Sequence, residues 1–80
     1  MATKKKKEEL PEMSPVESSN LARIGYHTDS KNLYIEFHNA SIYVYKKVPK
    51  HIYEELMNAG SCGKYFAETI KPNYGFSKFF

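Results

Sequence analysis

The sequence predicts an α+β fold: a three-stranded antiparallel meander followed by two short helices packed on one face. Three observations carry this. Between Leu21 and Val48, apolar side chains recur every second residue in short runs separated by turn-forming residues. After Val48-Pro49 the period lengthens to that of a helix. All seven Tyr and all five Phe lie from Tyr26 onward, so the material for a core sits in that part of the chain.

Each element follows from its residues. "LARIGYH" (Leu21 to His27) alternates through Ile24 and Tyr26 and makes the first strand. "TDSKN" is a turn, rich in short polar side chains that bond nearby backbone. "LYIEFH" is the clearest strand, with Leu33, Ile35 and Phe37 on one face and Tyr34, Glu36 and His38 on the other. "NAS" turns the chain into "IYVYKKV", the third strand. In "VPKHIYEELMNAG", Pro49 suits the start of a helix and Gly60 its end, giving a helix of about ten residues. Ile52, Tyr53, Leu56 and Met57 form its apolar side, opposite Lys50, Glu54 and Asn58. Ser61 is the expected N-cap of the second helix, whose inner side is Tyr65, Phe66, Thr69 and Ile70, and Pro72 ends it. "NYGFSKFF" is a last extended, aromatic segment.

Residues 1–16 form a disordered charged tail by composition, and residues 17–80 a single small domain. The tail sets Lys4 to Lys7 against Glu8, Glu9 and Glu12 and holds no aromatic residue. No apolar stretch follows the lysines as a secretory signal requires, and nothing approaches the length of a membrane span. The single Cys62 offers no intramolecular disulfide, so a reducing, cytoplasmic setting is expected. The formal net charge is +3. It arises wholly after Leu21, where eight basic residues face five acidic ones, and it permits a weak attraction to polyanions.

Chemistry-bearing residues are sparse. His27, His38, His51 and Cys62 lack the close spacing of a zinc ligand set, and no cofactor is expected. Cys62 has no sequence-local base and reads as a small packing residue. "GSCGK" (Gly60 to Lys64) falls short of a phosphate-binding loop, because two residues separate the glycines and Tyr65 stands where Ser or Thr is required. Glu54 and Glu55 sit exposed on a helix and not in a cleft, so an enzyme is not expected.

The motifs in order, "SSNLARIGY", "LYIEF", "IYVY", "VPKHIYEEL" and "SCGKYF", resemble the KTSC domain, a family also found at the C-terminus of some lysyl-tRNA synthetases. The resemblance covers about Ser18 to Tyr74. The family's Tyr-x-Tyr falls on Tyr43 and Tyr45. Its Val-Pro helix start falls on Val48 and Pro49, with Tyr53 following, and its Ser-x-Gly-x-aromatic-aromatic stretch falls on Ser61, Gly63, Tyr65 and Phe66. Ala40 stands where the family usually has Gly.

The synthetase setting implies RNA as partner. The expected function is then a non-catalytic binding module with Arg23, Lys46, Lys47, Lys50 and Lys64 on phosphates and exposed aromatics on bases. The alternative is a protein-interaction or self-association module using an open sheet face.

The turn at Asn39-Ala40 decides which way the tyrosines point. A two-residue turn pairs Ile35 with Val44 and leaves Tyr43 and Tyr45 outside. A bulged turn with a left-handed residue at position 40 pairs Ile35 with Tyr43 and turns both tyrosines into the core. The glycine usual in the family favours the bulged register. In that register Ile42 and Val44 lie on a partly apolar outer surface beside Lys46 and Lys47.

Overall fold

The computed structural model describes residues 9–80. An antiparallel sheet of five strands follows chain order: β1 (Ser14–Pro15), β2 (Leu21–His27), β3 (Asn32–Phe37), β4 (Ile42–Tyr45) and β5 (Phe76–Lys78). Between β4 and β5 lie α1 (Lys50–Asn58) and α2 (Cys62–Tyr65), the latter continuing into a π-helical turn over Phe66–Ile70. The α+β class and the three central strands are as expected. The five-stranded sheet corrects the three-stranded meander. Both added strands are edges of two or three residues, too short for an alternating pattern to register. Ser14 pairs with Ile24 and Pro15 with Arg23, so the sheet begins inside the segment expected to be a tail. The Lys4–Lys7 run lies outside the described residues.

The β3–β4 hairpin takes the bulged register. Ile35 pairs with Tyr43 and Glu36 with Ile42. The Ala40 N–H donates to the Phe37 carbonyl at 2.9 Å, and the Phe37 N–H donates to the Ser41 carbonyl at 2.9 Å. Ala40 adopts φ 73°, the left-handed conformation that a Cβ makes costly. The Asn39 side chain supports the turn by accepting from the Ser41 N–H at 3.0 Å.

A second bulge lies in β2. Leu21 pairs with Phe37 and Arg23 with Glu36, which leaves Ala22 as the extra residue. Leu21 and Ile24 are three apart, yet both are fully buried in the same core. An unbroken strand would place them on opposite faces.

The main core lies between the sheet and the helices. Leu21, Ile24, Leu33, Ile35 and Tyr45 from the sheet meet Val48, Leu56, Cys62, Phe66 and Ile70. Pro49 is the N-cap of α1, and its carbonyl accepts from the N–H groups of Ile52 and Tyr53. Ser61 caps α2 by accepting from the Lys64 N–H at 3.2 Å. Tyr26 stacks on Tyr53 with ring centroids 4.8 Å apart and donates to the Val48 carbonyl, so α1 is held over β2. Cys62 Sγ donates to the Leu56 carbonyl at 3.4 Å and is buried.

The opposite sheet face differs from expectation. Ile42 and Val44 are only 6% exposed and Tyr34 only 2%. These three form a second apolar cluster with Met13 and Phe79 packed against it. The face is therefore covered, not open, and the interaction surface expected there is corrected. The cover comes from both ends of the described chain. Phe79 packs its ring edge-on against Tyr34 at 5.3 Å, while its N–H and that of Phe80 both donate to the Ile42 carbonyl. On the other side, residues 11–13 cross Gly25 so closely that a Cβ there would lie 2.9 Å from the Glu12 carbonyl oxygen and 2.5 Å from Met13 Sδ. Gly25 is thus required by close approach of backbone.

Two outcomes test this packing. Ala40→Gly removes the left-handed penalty at an exposed position and should stabilise the domain by about 1 kcal/mol, raising Tm by roughly 4–8 °C; an unchanged or lowered Tm would refute the turn. Tyr45→Ala removes a ring that is 3% exposed and should cost about 3–5 kcal/mol, leaving a domain of this size largely unfolded in a thermal melt.

Candidate functional site

The helix-facing side of β4 is not fully roofed. The helices cover Tyr45, but the roof stops short of Tyr43, which is half-buried, and of Phe76 on β5, which is 56% exposed. Five rings run in one contacting series through this region. Phe37 meets Tyr43 at 5.7 Å and Phe66 at 5.8 Å, Tyr45 meets Phe66 at 5.3 Å, and Phe76 lies against both Tyr43 at 5.7 Å and Tyr45 at 5.3 Å. Two adjoining hollows of about 400 and 350 Å³ open onto them. They share Phe37, Asn39, Tyr45 and Lys71 and together form one groove. Ser19, Asn20 and His38 line one wall, and Ala67 and Lys71 the other. No Asp or Glu is among the described residues that line it.

Local structure positions these groups. The Ala40 turn brings Asn39 to the groove's end. The π-helical turn widens the helix after Tyr65, so that Phe66 and Ile70 are buried while Ala67 and Lys71 come to the rim. The Ser18 loop closes the far wall. Its hydroxyl accepts from the N–H groups of Asn20 and Leu21, and its carbonyl is bonded to His38 Nε2 at 2.7 Å. Gly63 lies against this loop, with Ser18 Oγ 2.8 Å from where a Cβ would stand.

The motif residues named from the sequence are mostly accounted for by packing. Tyr45 and Phe66 form the groove floor and Tyr43 its side. Pro49 and Ser61 cap helices, Tyr53 stacks on Tyr26, and Gly63 admits the Ser18 loop. Tyr65 donates to Glu55 Oε1 at 2.6 Å and ties α2 to α1. That hydrogen bond, then burial, then the carboxylate charge push the Tyr65 phenol up to about 12. Burial raises Tyr26, and burial followed by the neighbouring Tyr43 raises Tyr45. All three phenols are favoured protonated in the fold, so this support is complete below pH 10 and lost only as pH rises further.

The five basic residues do not gather in one patch. Arg23 lies on the face away from the helices and pairs with Glu36. Lys46 and Lys47 follow β4. Lys50 and Lys64 sit exposed on α1 and α2, in the helical layer. Lys71, Asn39, Phe37 and Phe76 border the groove and were not singled out by sequence reasoning. Phe37 is legible only as part of the apolar face of its strand and Asn39 only as a turn residue, Phe76 belongs to the aromatic crowding after Pro72, which carries no periodicity, and Lys71 has no sequence signal.

Among the described residues no group of three or more His, Cys, Asp or Glu side chains could hold a metal ion, and no helix is long and apolar enough to cross a membrane.

Known proteins place the chain in a family. The family model described as the KTSC domain matches residues 17–74. A solved KTSC domain protein from Yersinia pestis superposes with a TM-score of 0.83 at 33% identity, covering 86% of this chain and 97% of that one. An uncharacterized protein of Stutzerimonas stutzeri is 32% identical over 74% of this chain and 83% of its own length. A lysine–tRNA ligase of Nostoc punctiforme is 37% identical over 86% of this chain, a region that spans 12% of the ligase. The match over residues 17–74, together with these likenesses in sequence and fold, shows that the chain belongs to the KTSC domain family.

Proposed function

We propose that this chain is a small non-catalytic module that binds single-stranded RNA in the aromatic groove. The observation that carries the reading is the half-roofed ring series, in which Phe76 and Tyr43 reach solvent beside Lys71 and Asn39, with no carboxylate among the described lining residues. Unstacked bases gain about 1–3 kcal/mol each on such rings, and a lysine at the rim neutralises phosphate. Double-stranded RNA keeps its bases stacked and gains nothing from them. The excess of basic over acidic residues after Leu21 supports the same partner. So does the occurrence of a similar region within proteins named as lysine–tRNA ligases. The free, buried Cys62 is consistent with a reducing, cytoplasmic setting.

Stacking supplies the affinity at the groove. Phe76 is the ring to remove, because it contributes an exposed face and little to the core. Phe76→Ala should leave the thermal melt nearly unchanged. It should weaken binding of a labelled single-stranded oligoribonucleotide by about tenfold or more, measured by fluorescence anisotropy at low salt. Equal affinity of the Phe76→Ala and unaltered proteins, or preference for the duplex form of the same sequence, would contradict this reading.

A further inference from the structure

Lys71 lines both hollows of the aromatic groove, on the wall it shares with Ala67. It owes this place to the π-helical turn. Its N–H donates to the Phe66 carbonyl at 2.9 Å, a spacing of five residues, and the widened turn brings the side chain to the rim. The facing wall is Ser19, Asn20 and His38, and His38 Nε2 is already bonded to the Ser18 carbonyl.

A second lysine stands beside the same rings. In the β4–β5 pairing Lys78 lies opposite Tyr43 and Phe76 opposite Tyr45. Cross-strand partners share a face, as do residues two apart on one strand. Lys78 is therefore on the helix-facing side of the sheet with Phe76, Tyr43 and Tyr45. Its Cα is about 7 Å along β5 from that of Phe76, and its Cβ about 5 Å from that of Tyr43. Both lysines are exposed, and neither has a carboxylate partner among the described residues. A single strand of RNA presents apolar base faces and, beside them, a row of anionic phosphates. The ring surface of Phe76 and Tyr43, with Lys71 at the helix rim and Lys78 on the outermost strand, matches both.

We infer that Lys71 and Lys78 are the phosphate-binding pair of the groove, so that the RNA backbone passes between the helix rim and β5 while its bases lie on Phe76 and Tyr43. This rests on the groove being an RNA site and adds which cations hold the backbone. Lys46 and Lys50 stand elsewhere. Lys46 borders a cleft with Tyr34 and Val44 on the other sheet face, and Lys50 is on α1, which the Tyr53–Tyr26 stack holds over β2.

Binding of the same labelled single strand, followed by anisotropy over a series of salt concentrations, tests the assignment. Lys71→Gln/Lys78→Gln should lower affinity and reduce the magnitude of the log–log salt slope by about 1.4, the loss of two phosphate contacts at roughly 0.7 each. Each single substitution should show about half of that change. Lys71→Arg/Lys78→Arg keeps both charges and should keep the slope. Phe76→Ala should lower affinity with the slope unchanged. Lys46→Gln/Lys50→Gln, which removes the same charge, should leave the slope unchanged. An unaltered slope in Lys71→Gln/Lys78→Gln, with the unaltered protein binding, overturns the lysine pair alone. An equal fall in slope in both glutamine double variants also overturns it, since the attraction would then be diffuse. Failure of the unaltered protein to bind at low salt overturns the groove reading and the lysine pair together.

Discussion

The hairpin bulge at Ala40 is the constraint on which the rest of the structure depends. A strand's side chains alternate strictly, so one residue of register decides the destination of all four residues of β4. With Ala40 left-handed, Tyr43 and Tyr45 turn toward the helices, and Ile42 and Val44 turn away. The helical layer is then built on Tyr45, whose ring meets Phe66. The opposite layer is built on Ile42 and Val44, and it must be covered by something. An alanine at this position keeps the turn at a cost in backbone strain that glycine would avoid. Packing on both faces of β4 offsets that cost.

Covering the second face is the characteristic problem of so small a domain. Sixty-odd residues make one helical layer, and about 60% burial of the unfolded surface leaves little margin. Here the two ends of the described chain solve it. Met13 comes from before β1 and Phe79 from after β5, and both lie on the Tyr34, Ile42 and Val44 cluster. The edge strands hold these side chains in place. Gly25 belongs to the same solution, since it gives the backbone of residues 11–13 room to cross the sheet. The aromatic groove follows from the opposite circumstance: the helices roof Tyr45 and stop before Phe76, so ring surface of the kind found in a core reaches solvent.

Much of this was legible in the residues. The strands around Ile24, Ile35 and Val44 follow from alternation, and the Pro49 start and Ser61 cap of the helices follow from local backbone chemistry. The direction of the tyrosines required the turn, and the turn was decided by a family resemblance, because Ala favours neither alternative. What periodicity missed has physical reasons. β1 and β5 are too short to show a period, and the burial of Val44 depends on Phe79, thirty-five residues later. The bulge at Ala22 broke the alternation that would have marked Leu21 as core. The π-helical turn shifts the face of the second helix by one residue, so Lys71 reaches the groove without any signal in the helical pattern.

The most direct test of the account is a set of side-chain proton contacts in solution, from nuclear Overhauser spectra of the unaltered chain. The bulged register predicts contacts between the Tyr45 and Phe66 rings and between the Val44 methyl groups and the region of Tyr34 and Phe79. Contacts from the Val44 methyl groups to Phe66 or Ile35, with the Tyr45 ring free of Phe66, would mean the two-residue turn. They would place the tyrosines outside the core and contradict the structure described here from its hairpin outward.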